Sequence, residues 1–236
     1  MCGRYLFTSP PDAVAQAFQV DVRDNFPPRW NVAPTQPIGV IHMDEAAPIA
    51  ERKPIFSLMR WGFIPSWAKK DYHERMGSKP LINARSETVA EKPTFRAAWK
   101  RRRCLIPADG FYEWRTEKGA KQPYCITLND KRLFAFAGIW ETAHDPDGGE
   151  IDTAAILTAA AGQDLKPLHG REPIIIQPND YARWLAADER DVGDLAPLLG
   201  AQETGSWRYY AVSKEVSNAR NEGERLARAV GQAELF

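Results

Sequence analysis

The sequence predicts an α+β fold with mostly antiparallel sheet, and three observations carry that reading. Short apolar runs of strand character crowd the middle of the chain, short helical patterns lie between and after them, and regular strand–helix–strand alternation is absent. The 236 residues suffice for one large core, and no Gly/Ser-rich or charge-rich linker divides them, so a single domain over 1–236 is expected.

The elements follow in chain order. Thr8-Ser9-Pro10-Pro11-Asp12 reads as a helix start, with Ser9 as N-cap, Pro10 in the first turn and Asp12 closing a capping box; Val14 and Phe18 then share one face. Phe26 to Thr35 is rich in proline, which removes backbone donors and fixes φ, so an ordered but irregular loop is expected there. Ile38–Ile41 and Phe56–Phe63 read as strands, Thr94–Arg101 as helical, and Cys104–Pro107 as the start of another strand. Tyr124–Leu128 and Leu133–Trp140 look like a hairpin joined through Asn129-Asp130-Lys131. Thr153–Thr158 and Pro173–Gln177 are further short strands, and Asn179-Asp180 caps a helix carrying Tyr181, Trp184 and Leu185. The polar tail after about Ser213 reads as a loose helix or partly disordered segment.

Composition narrows the function classes. Lys+Arg and Asp+Glu both number 31, and a net charge of zero argues against extensive non-specific duplex binding, which depends on neutralising many phosphates. A local basic groove remains open; the densest basic run, Lys100 to Arg103, reads more simply as a solvated helix end. Cys2, Cys104 and Cys125 form neither a disulfide framework nor a zinc pattern, and the four scattered histidines include no HxxxH, so no metal is expected. The start of the chain lacks a signal-type apolar run, and no stretch approaches the ~18 apolar residues that would span a bilayer. A cytoplasmic, reducing compartment with no membrane association follows as the expectation.

Cys2 is the most unusual feature. Cysteine is small enough for an aminopeptidase to remove a preceding methionine, which would leave a terminal residue with an amine and a thiol on adjacent carbons. That amine, with a reference pKa of about 7.7–8.0, is partly neutral at physiological pH and can attack an aldehyde to form an imine. The thiol can then close a five-membered thiazolidine. An internal cysteine cannot do this, since its nitrogen is held in an amide. Taken alone, the position could also be an accident.

Six blocks occur in order: Met1-Cys2-Gly3-Arg4-Tyr5, Trp30 to Thr35, Arg60 to Pro65, Asn83-Ala84-Arg85-Ser86-Glu87, Arg103 to Trp114, and Leu168-His169-Gly170-Arg171-Glu172-Pro173. Together they resemble the signature blocks of the SOS-response-associated peptidase family, also described as abasic-site-processing proteins. One departure is Glu172, where the family commonly has Met, which bears on local packing.

The resemblance implies twisted sheets forming an open, barrel-like core flanked by short helices. It also implies binding to single-stranded DNA and single/double-strand junctions, with a covalent link to an abasic deoxyribose. Neither cofactor nor metal is required. In this reading Cys2 supplies both nucleophiles, and Glu113, an acid among aromatic neighbours, shuttles protons. His169 protonates the sugar oxygen leaving as hydroxyl, and Asn83 orients Cys2 or the opened sugar. Arg4 and Arg85 contact phosphates, while Pro34 and Trp67 offer flat apolar surfaces to unstacked bases. Trp30, Trp61, Trp99, Trp140 and Trp184 are assigned to the core.

Without the resemblance, plainer roles stay open: an ion-pair partner for Glu113, a satisfied core histidine for His169, a helix cap for Asn83 to Arg85. The rival functions are a thiol peptidase that removes the residue before Cys2, and a non-covalent reader of modified DNA. A degenerate member without activity is a third. A monomer is expected.

Overall fold

A computed structural model describes residues 2–23, 25–69, 72, 79–144, 149–186 and 192–230. Met1, whose removal the chemistry above requires, and the end of the tail beyond 230 lie outside them. Among the described residues no helix is long and apolar enough to cross a membrane.

The architecture is α+β and mostly antiparallel, built on two sheets. The larger contains β3 (Pro37–Met43), β4 (Pro54–Trp61), β6 (Arg103–Ala108), β9 (Phe134–His144) and β10 (Glu150–Ala160). β4 pairs with β3, β3 with β6, β6 with β9 and β9 with β10; β10 then pairs in parallel with β4, Thr153 opposite Arg60 and Ala154 opposite Trp61. The barrel-like core therefore closes into a ring, which leaves none of these five strands as a free edge in the ladder. Outside the ring, β10 also carries β5 (Asn83–Arg85) in parallel and β11 (Arg171–Pro173) antiparallel, while β12 (Ile175–Ile176) lies on β9. The smaller sheet runs β13 (Trp207–Ala211), β8 (Ala120–Leu128), β7 (Gly110–Glu117), β1 (Tyr5–Phe7), β2 (Arg29–Val32).

The central strands of the ring are buried along continuous runs, so both of their faces are covered. Ile41, Trp61, Leu105, Phe136 and Ile156 are almost wholly buried and join residues of the smaller sheet, Tyr5 and Phe111, in one core cluster. Trp61, Trp99, Trp140 and Trp184 are in the core as expected, and Trp30 is partly buried. Buried indole N–H groups need acceptors; Trp184 Nε1 donates to the Cys104 carbonyl at 2.9 Å and Trp61 Nε1 to that of Ile82 at 3.0 Å.

Several expectations need correcting. The helix Pro11–Phe18 has Pro10, not Ser9, at its N-cap and no side-chain cap bond. The Ser9 hydroxyl instead donates to Asp109 Oδ1 at 2.5 Å, while the Thr8 and Ser9 amides donate to Oδ2 at 2.6 and 2.9 Å. A partly buried carboxylate thus outcompetes the local capping box. The Pro-rich stretch contains β2, since Pro27, Pro28 and Pro34 flank Arg29–Val32 without interrupting it.

The expected hairpin between Tyr124–Leu128 and Leu133–Trp140 does not form, because its two strands belong to different sheets. β8 pairs instead with β7 across a tight turn at Lys118-Gly119, both at positive φ (47° and 81°), as a two-residue hairpin loop requires. The stretch at Pro173–Gln177 is two strands, broken at Ile174. The basic run divides: Lys100 and Arg101 are exposed in the last turn of the helix Arg96–Arg101, as expected, whereas Arg103 is buried and donates to the carbonyls of Trp99 and Trp184, and Arg102 pairs with Glu45 and Glu141 while stacking on Trp140. The tail is packed as far as residue 230, with Val216 and Leu226 buried against Leu6, Tyr112 and Cys125.

Candidate active site

Cys2 is completely buried, just ahead of β1. β1 meets β7 with Tyr5 opposite Phe111 and Leu6 opposite Gly110, and the Tyr112 amide donates to the Arg4 carbonyl at 2.9 Å. Continuing that register places Glu113 across from Gly3, beside Cys2. The Glu113 side chain is buried, and its Oε2 accepts the Trp114 amide at 3.3 Å. From the other side Asn83 Nδ2 donates to the Cys2 carbonyl at 2.9 Å. Asn83 is placed there by the parallel pairing of β5 with β10, Asn83 opposite Ile156. Its Oδ1 is buried and has no hydrogen-bond partner among the described residues, so one acceptor faces the site unused.

Burial pushes the Cys2 thiol well above its ordinary pKa, and the negative charge of Glu113 pushes it the same way. The thiol therefore rests protonated. Tyr5, also fully buried, has its phenol raised chiefly by burial and secondarily by Cys2; its hydroxyl has no partner among the described residues.

His169 lies on the turn that leads into β11. Its Nδ1 stands 3.0 Å from the Arg171 amide and 3.2 Å from the Arg171 carbonyl. An amide can only donate, so in the neutral ring Nδ1 accepts and the proton sits on Nε2. Arg171 ties the loop to Glu87, two residues past β5, through a guanidinium fork at 2.8 and 2.9 Å, and to β10 through the Thr158 carbonyl at 2.6 Å. Thr158 itself sits between Arg85 on β5 and Pro173 on β11.

The surface candidates differ among themselves. Arg85 is exposed, and its guanidinium makes no hydrogen bond or ion pair with a described residue. Trp67 is 50% exposed, edge-on to Tyr72 with ring centroids 5.2 Å apart, so one large aromatic stands in solvent. Pro34 is partly buried and precedes Thr35, which has φ of 72°, uncommon for a β-branched residue, and donates its amide to the Trp61 carbonyl at 2.8 Å. Arg4 is half-buried, with Nη1 committed internally to Asn31 Oδ1 and the Val216 carbonyl, both at 2.8 Å. Among the described residues no group of three His, Cys, Asp or Glu could hold a metal ion.

Sequence reasoning missed Asn31 and Arg171. Both lie inside motif blocks, but their value is in bonds to residues far along the chain, which no local signal announces. Glu172, the noted departure, is buried and accepts the amides of Gly162 (2.9 Å) and Gln202 (2.8 Å); burial raises its pKa. It anchors a loop where a Met would only fill space.

Fold and site together define an α+β protein with a closed barrel, in which a cysteine at position 2 is enclosed between an acid and an amide. The chain belongs to the SOS response associated peptidase (SRAP) family, whose model matches residues 1–219. It is 36% identical over 230 residues to a Bacillus subtilis protein named abasic site processing protein YoqW, covering 96% of this chain and 98% of that one. It is 29% identical to the Escherichia coli abasic site processing protein YedK, covering 98% and 100%. The Xenopus tropicalis abasic site processing protein HMCES is 30% identical, with 94% of this chain matched to 76% of that longer one. Among solved structures, a Bordetella bronchiseptica protein superposes with TM-score 0.76 at 26% identity, covering 90% of this chain and 100% of that one. A Bacteroides thetaiotaomicron protein shares the fold, with TM-score 0.79 at 23% identity over 97% and 99% of the two chains.

Proposed function

We propose that this protein processes abasic sites in single-stranded DNA and at single/double-strand junctions by bonding to them covalently through Cys2. The observation that carries the reading is the enclosure of Cys2 between Glu113 and the Asn83 amide, together with relatives named for abasic-site processing.

Removal of Met1 exposes the α-amine of Cys2. The amine adds to the aldehyde of the ring-opened deoxyribose, giving a carbinolamine. Loss of water gives the imine, and the thiol then adds across C=N, sulfur to carbon and its proton to nitrogen. The order follows from the site: the buried thiol is protonated, so the amine attacks first and sulfur second. Glu113 is placed to take a proton from the amine and return it to the departing hydroxyl. Asn83 Oδ1 accepts from the amine or a sugar hydroxyl, and the imidazolium form of His169 gives its Nε2 proton to the sugar oxygen during ring opening, returning to the neutral ring. Arg85 receives a flanking phosphate, with Arg4 a candidate for a second, and Trp67 and Pro34 support neighbouring bases.

The closed thiazolidine would shield the strand from β-elimination, whereas an open imine would promote it. Weak strand scission is therefore expected wherever the amine remains without the thiol. The protein acts as a monomer inside the cell and needs neither metal nor cofactor.

A thiol peptidase is less well supported, because such a nucleophile needs a depressed pKa and that of Cys2 is raised. The test uses protein confirmed by mass spectrometry to begin at Cys2, mixed with a single-stranded oligonucleotide carrying one abasic site and run on a denaturing gel. A slow band that requires both the abasic site and Cys2 supports the proposal, and Cys2→Ser should lose the heat-stable band while still nicking the strand. A heat-stable band with Cys2→Ser would exclude the thiazolidine. No band from the wild type would favour a non-covalent reader.

A further inference from the structure

We propose that Asn31 is a positioning residue for the reaction of Cys2, acting through Arg4 and the segment 213–230; the inference rests on the reading above. Residues 2–4 precede β1, and a single backbone bond, from the Tyr112 amide to the Arg4 carbonyl, continues the ladder to them, so side-chain ties do the rest. Asn31, on β2, is fully buried with its amide oxygen and both amide hydrogens bonded. Its Oδ1 accepts Arg4 Nη1 at 2.8 Å, and its Nδ2 donates to the carbonyls of Asn218 at 3.0 Å and Asn221 at 2.8 Å.

The same segment grips Arg4 a second time, at the Val216 carbonyl. It also grips β2 through Glu222, which accepts the Trp30 amide at 2.9 Å and Arg29 Nε at 2.8 Å. Arg4 is thus held by its side chain to β2 and the 213–230 segment, and by its carbonyl to Tyr112, one residue before Glu113. Cys2, two residues upstream, takes its place from this clamp and from Asn83. A buried amide bonded in all three directions has a single orientation, so Asn31 sets the distance between the Cys2 amine and Glu113 rather than merely filling a cavity.

The test uses the full chain, verified to begin at Cys2, as wild type, Asn31→Leu and Leu195→Ala. Leu is close to Asn in shape but lacks its polar atoms. Leu195 is fully buried in the main core and takes no part in the clamp, so Leu195→Ala destabilises the protein while leaving the clamp intact. Single-turnover crosslinking to the abasic oligonucleotide is followed across DNA concentration, and iodoacetamide labelling is mapped to individual cysteines. Asn31→Leu should lower the saturating rate roughly 10–100-fold, the scale of a misplacement near 1 Å, and leave the half-saturating concentration within about threefold. It should also open Cys2 to labelling. Leu195→Ala should lower the melting temperature but leave Cys2 closed to labelling and keep the rate within about threefold of wild type.

A wild-type saturating rate in Asn31→Leu overturns the proposal, as does an equal slowing in Leu195→Ala. If Asn31→Leu does not fold, Asn31→Asp, which keeps the acceptor for Arg4 but sets a carboxylate against two carbonyls, gives the same readouts. Should the wild type form no crosslink, the function proposed above fails, while Cys2 labelling still decides whether Asn31 holds Cys2.

Discussion

Replacing Arg171 with Met tests how the His169 loop is held to β10 and to Glu87, just past β5. Met keeps most of the apolar stem and removes the guanidinium. Two kinds of contact are lost, the fork on Glu87 and the bonds to Thr158, whose hydroxyl the guanidinium also reaches at 3.1 and 3.2 Å. The fork on Glu87 joins a side chain 15% exposed to one 49% exposed, so solvent screening limits it to about 0–1 kcal/mol. The bond to the carbonyl of buried Thr158, from a charged donor at 2.6 Å, is worth about 1.5–3 kcal/mol. No atom is orphaned, because that carbonyl also accepts the Ser86 amide at 2.9 Å and the Thr158 hydroxyl still reaches the Ala84 carbonyl. The total is therefore about 2–4 kcal/mol, with the carbonyl bond dominant. For a chain of this size that lowers the melting temperature by roughly 5–15 °C in calorimetry. Glu87→Gln, which leaves the Thr158 bond intact, should cost no more than about 1 kcal/mol. Equal losses from the two variants would refute the reasoning, since the exposed ion pair would then be the main tie.

Glu113→Gln should slow crosslinking on the order of 10²-fold or more, as expected on losing a general acid–base. The same change removes a negative charge that helps raise the Cys2 thiol, so the pH profile of Cys2 alkylation should move to lower pH; a move upward would contradict the assigned geometry. Tyr5→Phe removes a buried hydroxyl without a partner among the described residues. It should leave stability unchanged or raise it by up to about 1 kcal/mol in urea titration, and a loss above about 2 kcal/mol would reveal a bond not accounted for. Glu172 has its pKa raised on folding, so its contribution to stability is fully present below the ordinary carboxylate range and declines as pH rises through the raised value. The melting-temperature gap between wild type and Glu172→Met should therefore be larger at pH 4 than at pH 7.5, and a gap that widens with pH would reverse the sign.

The chemistry proposed for Cys2 was legible in the sequence, because an amine and a thiol on adjacent carbons follow from one residue and its position once Met1 is removed. Legible too were the fold class and most strand cores, whose short apolar runs are a local signal. Strands β3, β6 and β10 lie where the apolar runs place them, and Val14 and Phe18 bury together. The motif blocks marked Asn83, Glu113 and His169 as candidates but could not relate them in space.

Tertiary structure alone decided which strands pair. It sent β8 and β9 to different sheets, closed the ring through the parallel contact of β10 with β4, and laid β5 beside β10 so that Asn83 reaches a carbonyl 81 residues away. It turned Arg4, expected on a phosphate, partly inward onto Asn31, and gave Ser9 to Asp109 rather than to its own helix. The physical reason is common to these cases. A ladder register or a buried side-chain bond depends on groups distant in sequence meeting at about 3 Å, whereas periodicity and capping report only what neighbours within a turn or two can satisfy.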